Sequence, residues 1–300
     1  MIIFSNLRIT YHIVILTGLI SLLTSCSSTR FIYTFVDEFI KDEITYFLKL
    51  DEDEKVLLNK QVSEMVNWHR TAILPKYADY LNNIAERLEN DEYSANDISK
   101  LMANGRFLIE ETVIGLVPYA SKFLINHQTS ESIDYMEKKM LNRRQERMIE
   151  LSKSEDILLK ERLERLTSSF ERFFGDLKDS QLTILETHAR LTLNESRIRL
   201  HNRTLRQKVF IRFLRTQPTE VQLSNYLNTL LLKGYVITNP SYQAFSEDSL
   251  NRFQFLLVSL LATSNLTQRE TIINKLRDYA KDFKSVELRF MSVQVGLRVI

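Results

Sequence analysis

The most suggestive charge feature of the sequence is a basic run from Arg190 to Arg215. It holds eight Lys or Arg residues against one acid, Glu195, which gives a charge of +7 over 26 residues. Arg199, Arg203 and Arg206 follow i, i+4, i+7 spacing, so a helix places them on one face. Guanidinium groups bind phosphates and carboxylates through paired hydrogen bonds. We therefore predict a surface for anionic lipid, lipopolysaccharide or glycan that comprises Arg199, Arg203, Arg206 and Arg212.

Pairing within the molecule is the alternative interpretation of this basic run. Residues 37–54 hold eight acids against two lysines. The first arm of the predicted helical hairpin, Ile133–Phe174, offers four more: Glu146, Glu150, Glu164 and Glu171. Salt bridges to these acids neutralise a basic helix without any ligand. The whole chain has 40 Lys and Arg against 38 Asp and Glu, a net charge of +2. Nucleic acid is therefore not expected as a partner.

A second candidate site lies where an aromatic and basic triplet precedes a proline. Aromatic walls with a few polar groups are typical of ligand grooves, so we consider a partner or glycan contact here. The only tryptophan of the chain stands seven residues before Pro75, and an indole beside a proline kink also fills the gap left by the bend. Packing is therefore the alternative. The candidate residues are Trp68, His69, Arg70 and Tyr77.

The sequence offers no constellation for catalysis or metal binding. The histidines after residue 60 are too far apart for the i, i+4 spacing of metal ligands: His69, His127, His188 and His201. No Gly-x-Ser-x-Gly elbow and no Cys-His pair is present. Paired carboxylates occur, but any charged helix has them. We predict no catalytic residue, no metal and no cofactor, and a protein that is not an enzyme.

The N-terminal segment, residues 1–25, has the pattern of a cleaved export signal. Arg8 is its one charged side chain, and an apolar stretch runs from Ile9 to Leu23. A membrane-spanning helix needs about 20 apolar residues, so this shorter stretch indicates a signal peptide rather than a permanent anchor.

The segment that follows, Leu23-Thr24-Ser25-Cys26, resembles the lipobox of bacterial lipoproteins. The resemblance implies cleavage between Ser25 and Cys26, a diacylglyceryl group on the Cys26 thiol and often a further fatty acyl group, such as palmitate, on the new amino group. Two or three acyl chains hold a protein stably on a membrane, whereas one does not. Cys26 is the only cysteine, so the mature chain has no disulfide.

The residues after Cys26 indicate the membrane and the distance from it. In lipoproteins resembling those of enteric bacteria, Asp at the next position retains the protein at the inner membrane, but this chain has Ser27. We expect the outer membrane, facing the periplasm. Residues 26–30 form a tether whose four residues beyond Cys26 extend at most about 14 Å, so the folded body lies against the membrane.

Composition predicts an all-α fold for residues 31–300, as one domain. Six glycines and four prolines are too few to punctuate a β-sandwich or barrel. Between Pro118 and Gly175, and again from there to Pro218, neither residue type occurs. We predict an elongated multi-helix bundle built on a long antiparallel helical hairpin over about residues 133–215, with a turn at Gly175.

Apolar periodicity and capping signals place the other helices. Asp51 and Glu54 are expected to cap a helix that Pro75 kinks or restarts. Further predictions are a helix from about Asn96 to Leu116, hairpin arms over Ile133–Phe174 and Gln181–Arg215, a helix over Ser246–Leu261, and a last helix capped by Thr267 and Glu270.

Several of these segments are similar to an uncharacterised family of all-helical bacterial lipoproteins, known as a domain of unknown function. The similar segments are Trp68-His69-Arg70, Leu74-Pro75-Lys76-Tyr77-Ala78, Phe170-Glu-Arg-Phe-Phe-Gly175-Asp-Leu and Leu266-Thr-Gln-Arg-Glu270. The resemblance implies an exported, anchored helical protein and brings no activity or site residue.

Three functional hypotheses follow from the sequence. The first is a non-enzymatic scaffold or adaptor in the cell envelope, held to membrane lipid through acylated Cys26 and contacting an envelope protein. The second is a binding module for anionic lipid, lipopolysaccharide or glycan through the basic helix at 190–215. The third is a hydrolase of cell-wall or lipid substrates, for which the sequence shows no catalytic motif.

Overall fold

The computed structural model describes residue 33 and residues 35–297, with side chains as far as residue 286.

Capping residues set where the helices begin. The Glu54 N–H donates to Asp51 Oδ1 at 2.8 Å, and the Asp51 N–H donates to Glu54 Oε2 at 2.9 Å. This reciprocal box starts the helix predicted at Asp51. Ser94 and Asp97 form the same box at a later helix.

The all-α class is confirmed, since helices and their connections make up the described residues and no strand occurs among them. The helices are α1 (Val36–Phe47), α2 (Glu52–Trp68), α3 (Leu74–Glu89), α4 (Ala95–Leu124), α5 (Ser130–Glu150), α6 (Glu155–Phe174), α7 (Asp179–Leu191), α8 (Glu195–Leu214), α9 (Glu220–Lys233), α10 (Tyr242–Ala262) and α11 (Leu266–Leu297). A π-helical turn, His69–Ile73, joins α2 to α3, and a 3₁₀ turn, Gly234–Ile237, follows α9. The predicted signal peptide (1–25) and tether (26–30), with Cys26, lie outside the described residues.

Helix α4 is longer than the sequence indicated. It continues through Pro118 to Leu124 instead of ending near Leu116. A proline inside a helix costs about 3 kcal/mol, but the segment beyond it buries Phe123 and packs Ala120 and Leu124 against the first core. Fully burying an apolar side chain of the size of Phe or Leu contributes about 1.5–3 kcal/mol, so packing offsets the lost hydrogen bond.

The predicted cap of the last helix is wrong by two residues. Asn265, not Thr267, caps α11, because the Gln268 N–H donates to Asn265 Oδ1 at 2.8 Å. Gln268 is buried, and its side-chain amide also donates to Gln181 and to the Asp176 carbonyl. A tertiary contact to the turn before α7 therefore selects the first residue of α11.

The region of the predicted hairpin consists of four helices rather than two unbroken arms. The chain turns at Gly175, whose φ of +70° suits glycine. Each arm is interrupted, the first between α5 and α6 and the second between α7 and α8. Helix α6 packs against α7 and α5 packs against α8, so the two interruptions face each other.

Two hydrophobic cores hold the helices together. The first core is built by α1, α2, α5, α8, α9 and the C-terminal part of α4, and the second by α3, α6, α7, α10, α11 and the N-terminal part of α4. Leu214 and Leu223 are fully buried in the first core, as are Leu185 and Leu260 in the second. Helix α4 contributes to both, with Val117 at one end and Leu101 at the other.

Candidate functional site

The π-helical turn is the main irregularity of the first candidate site. The Leu74 N–H bonds to the His69 carbonyl, five residues back, where an α-helix would bond four back. Pro75 has no N–H, and its ring crowds the carbonyl four residues before it. The wider turn makes room for that ring, and α3 begins at Leu74. Single π turns of this kind are frequent at functional sites.

Trp68 packs against α4 beside this turn. A Cβ atom built on Gly115 would lie 2.0 Å from Trp68 Cζ2, so the indole occupies the space that a larger residue at 115 would need. The Tyr119 ring lies 6.4 Å from the indole, centroid to centroid. Trp68 therefore has the packing role that the sequence left open as the alternative.

The next two residues contact the start of the described chain. The Tyr33 hydroxyl and His69 Nδ1 share a hydrogen bond of 2.7 Å. The Arg70 guanidinium lies 5.2 Å from the centre of the Tyr33 ring and 4.0 Å from Asp37 Oδ1. Burial, aided by the Arg70 charge, lowers the pKa of His69 below 6.5. Burial raises the pKa of Tyr33 to about 12.

Tyr77 completes the group, so the structure brings all four predicted contact residues together. Its hydroxyl lies 2.7 Å from Thr112 Oγ1 on α4, and its ring lies 6.1 Å from that of His69. Each of the four side chains has a partner inside the molecule. The cluster holds the α2–α3 junction against α4 and against the beginning of α1.

A buried carboxylate forms a second polar centre, which the sequence analysis missed. Glu195, at the start of α8, is 8% exposed. It accepts hydrogen bonds from Arg199 at 2.9 Å, from Ser249 at 2.9 Å and from Arg252 at 2.9 and 3.1 Å. Ser249 and Arg252 belong to α10, so Glu195 ties α8 to α10. Its position as the one acid in the basic run is the signal that could have found it.

The network around Glu195 shifts the titration of its members. Burial alone would raise the pKa of Glu195, but the hydrogen bonds from Arg199, Ser249 and Arg252 outweigh it and lower the pKa. Burial lowers the pKa of nearby His188, and the charge of Arg162 adds to that effect. The centre thus holds a carboxylate anion beside a neutral imidazole.

The predicted anionic-ligand residues fall into two groups. Arg199 is committed to Glu195 and Ser249, and Arg206 packs its side chain over Gly234. Arg203 and Arg212 are exposed and form no ion pair with any residue that the structure describes.

The acids that pair with the basic run are not the predicted ones. Arg215 pairs with Asp134 at 2.7 Å and Glu137 at 2.8 Å, on α5. Within residues 37–54, Glu43 pairs instead with Arg143 of α5, through two hydrogen bonds of 3.0 and 3.3 Å. Internal pairing therefore involves Arg190, Arg199 and Arg215 but leaves the middle of α8 with unpaired cations.

A groove between α5 and α8 runs along these unpaired cations. Two adjoining hollows of about 210 and 110 Å³ share Arg144 and Gln207 in their walls. Arg203 lines one hollow and Lys208 the other. Arg144 Nε is buried and has no hydrogen-bond partner among the described residues. The walls of the groove therefore combine unpaired cations with three carboxylates, those of Glu137, Glu146 and Glu150.

A large apolar cleft opens beside the second core, between α3, α4, α6, α10 and α11. Its volume is about 510 Å³, within the range of small-molecule sites. Tyr80 and Ser169 are the only lining residues with side-chain oxygen or nitrogen atoms. Helix α6 contributes Leu166, Phe170 and Phe173 to its wall, and no sequence pattern indicated a cleft.

Among the described residues, no group of three or more His, Cys, Asp or Glu side chains is arranged to hold a metal ion. None of the helices in the described part of the chain is long and apolar enough to cross a membrane.

Comparison with known proteins gives one match. The model of a family of unknown function, DUF6279, matches residues 46–242, which include the π-helical turn, Glu195 and the α5–α8 groove. No curated protein and no solved structure matches the chain. The matched segment covers more than half of the 300 residues, so this chain belongs to the DUF6279 family of unknown function.

Proposed function

We propose that this protein is a lipid-anchored component of the bacterial cell envelope, held at the outer membrane on its periplasmic face, and that it acts as a non-enzymatic scaffold or adaptor. The observation that carries the anchor is the lipobox Leu23-Thr24-Ser25-Cys26, placed directly after an apolar stretch of signal-peptide length.

The start of the fold supports a position against the bilayer. Helix α1 begins at Val36, ten residues after Cys26. Phe39, in its first turn, is 69% exposed. An exposed aromatic side chain so close to an acylated residue would enter the membrane interface, where aromatic rings are favoured.

A cysteine substitution tests the anchor. In Cys26→Ser cells we expect the protein to lose labelling by an alkyne-tagged fatty acid and to leave the membrane fraction. Ser28→Ala, two residues away, is the matched control and should keep both properties. Ser27→Asp should move the labelled protein to inner-membrane fractions in a density gradient. Fatty-acid labelling that survives in Cys26→Ser would overturn the anchor.

The scaffold role rests on exposed apolar side chains of α4. Phe107 is 67% exposed and Ile114 53% exposed, and they stand two turns apart on one helix. Their neighbours in the fold leave them uncovered, although α4 lies at the centre of the molecule. Apolar side chains grouped on one exposed face are typical of protein contacts.

Site-specific crosslinking in intact cells tests the scaffold role. A photoreactive amino acid is placed at Phe107 or Ile114, and at Lys160, an exposed position on α6, as the control. We expect one envelope protein to be crosslinked from α4 and not from Lys160. If neither α4 position yields a protein adduct above the control, the scaffold role through this face is wrong.

Anion binding in the α5–α8 groove is the second candidate, favoured by the exposed cations Arg203 and Lys208 in its walls. The test is capture of the detergent-solubilised full chain on immobilised lipopolysaccharide. Arg203→Glu with Lys208→Glu should abolish capture, and the Arg→Lys change at 203 should retain it. Arg199→Glu is unsuitable because it would place a second acid beside buried Glu195. Unchanged capture by the double reversal would exclude the groove.

A further inference from the structure

The apolar cleft beside the second core has lining chemistry that excludes most ligands. The Tyr80 hydroxyl already donates to the Leu101 carbonyl at 2.9 Å. Ser169 is exposed and therefore lies at the mouth rather than at the base. A sugar, nucleotide or peptide backbone placed inside would leave its polar groups without partners, which is costly. A hydrocarbon chain has no polar groups and therefore does not carry this cost.

The volume of the cleft fits one hydrocarbon chain. An apolar cavity of about 150 Å³ accommodates benzene, which has six carbons. By that scale the cleft, at about 510 Å³, holds about 20 carbons. This is the size of one long acyl chain, and half of what the two chains of a phospholipid would need.

The mouth of the cleft carries positive charge. Arg165 and Arg172 stand four residues before and three residues after Ser169, so they share its face of α6. Arg165 lies 3.9 Å from Glu161. Arg172 is exposed and forms no ion pair with a described residue. An anionic head group at the mouth would meet these guanidinium groups.

We propose that the cleft binds a single-chain fatty acid, with the acyl chain against Phe170 and Phe173 and the carboxylate at the mouth near Arg172. The site is separate from the basic α5–α8 groove and from the lipid predicted on Cys26. Fatty-acid binding in this cleft does not depend on the proposed lipid anchor or on the proposed scaffold role, which rest on the lipobox and on the exposed face of α4.

Photolabelling in isolated membranes tests this site on the full chain. Palmitate that carries a diazirine in its chain and a terminal alkyne is added without ATP, so that it cannot be transferred to protein by acylation. After irradiation, the modified peptides are identified by mass spectrometry. We expect adducts on the α6 segment around Phe170 and Phe173 and on the facing segment of α10.

Two adjacent serines provide the matched variants. Ser169→Trp places an indole in the mouth and should remove the adducts, whereas Ser168→Trp, on an exposed position that does not line the cleft, should leave them. Equal resistance of both variants to proteolysis checks the fold. Should Ser169→Trp fail that check, Met102→Trp on α4 replaces it, since Met102 also lines the cleft.

Three outcomes would overturn the proposal. One is the absence of adducts on the lining segments of the wild-type chain. Another is labelling of these segments by a diazirine phospholipid but not by the fatty acid. The third is a protein adduct, in place of a lipid adduct, from a photoreactive residue at Ser169, which would make the cleft a protein-docking surface.

Discussion

Glu195 determines how much of the basic helix is structural. Its carboxylate is buried and is the shared acceptor of Arg199, Ser249 and Arg252. Removing one member of a buried charge network is costly, because the remaining charges lose their partner but stay out of water. Arg199, at this end of α8, therefore helps to hold α10 in place and is not free to bind a ligand.

The first prediction concerns this carboxylate. Glu195→Ala should lower the free energy of unfolding by about 2–4 kcal/mol, below the range for fully buried pairs because Arg199 is half-exposed. Urea denaturation followed by circular dichroism measures the change. Glu186→Ala removes an exposed i, i+4 partner of Arg190 and should cost about 0.3–0.5 kcal/mol. Equal costs for the two variants would contradict a structural role for Glu195.

The second prediction concerns three histidines whose pKa values burial holds below 6.5: His69, His127 and His188. Below pH 6.5 these histidines bind protons in the unfolded chain but not in the folded chain, so the free energy of unfolding falls as the pH falls. Each histidine contributes a slope of up to about 1.4 kcal/mol per pH unit. Urea midpoints should therefore drop between pH 7.5 and 5.5.

A pair of histidine variants isolates the effect. His127 is buried, and its ring lies 4.7 Å from that of Phe123, centroid to centroid, with the two planes tilted by 46°. His127→Gln should reduce the pH dependence, while His201→Gln, at an exposed position of α8, should leave it unchanged. A midpoint that does not vary between these pH values in the wild-type chain would show that the histidines are not buried in their neutral form.

At the residue scale, the sequence indicated which neighbouring residues form a cluster, but it did not indicate which distant residues pair with a buried charge. Trp68, His69, Arg70 and Tyr77 do lie together, because three of them are adjacent in sequence and the long side chain of Tyr77, about two turns further on, reaches the His69 ring. Glu195 stands out in the sequence as the one acid of the basic run, but its partners Ser249 and Arg252 could not be identified, since they are more than fifty residues away. Local spacing carries no information about which distant helix packs alongside.

At the scale of elements, the close contact between α2 and α4 depends on one glycine. Trp68 Cζ2 lies 2.0 Å from where a Cβ on Gly115 would be. Alanine elsewhere in a helix is preferred to glycine by about 1 kcal/mol. At position 115 the preference should be reversed, because the indole would have to leave its place.

The third prediction is a coupling between these two residues. Gly115→Ala should destabilise the protein by about 1–3 kcal/mol and shift the emission of Trp68, the only tryptophan. In a Trp68→Ala background the same change should cost nothing or stabilise by up to about 1 kcal/mol. Additive effects of the two substitutions would show that the indole does not fill this space.

The helices themselves were predictable where local signals decide them. The Asp51 box and the Gly175 turn appear as expected, because the residues that form each are neighbours in sequence. The continuation of α4 past Pro118 and the Asn265 cap of α11 depend on burial of Phe123 and Gln268 by other helices. The apolar cleft could not be predicted from the sequence for the same reason, since its wall is built by five helices.

At the scale of the whole molecule, the two cores are mechanically linked. Helix α4 is continuous over 30 residues and has side chains in both. The Glu195 network joins α8, which contributes Leu214 to the first core, to α10, which contributes Leu260 to the second. Unfolding one core would break α4 or expose the buried carboxylate.

The fourth prediction follows from this linkage. Chains of this length often unfold in steps, but here we expect one transition. Leu223→Ala in the first core and Leu185→Ala in the second, both at fully buried positions, should each cost about 2–5 kcal/mol. Each should shift the same guanidinium midpoint, whether followed by helix content or by Trp68 emission.

The diagnostic variant is Leu185→Ala, because Trp68 packs on the half of α4 that enters the first core. If the cores were independent, this substitution would lower the midpoint seen by circular dichroism and leave that of Trp68 emission in place. Coincident midpoints in both variants instead require that α4 transmit the loss of either core to the other. A ligand in the cleft beside the second core would then stabilise the α2–α4 contact, and with it the exposed face of α4 that carries Phe107 and Ile114.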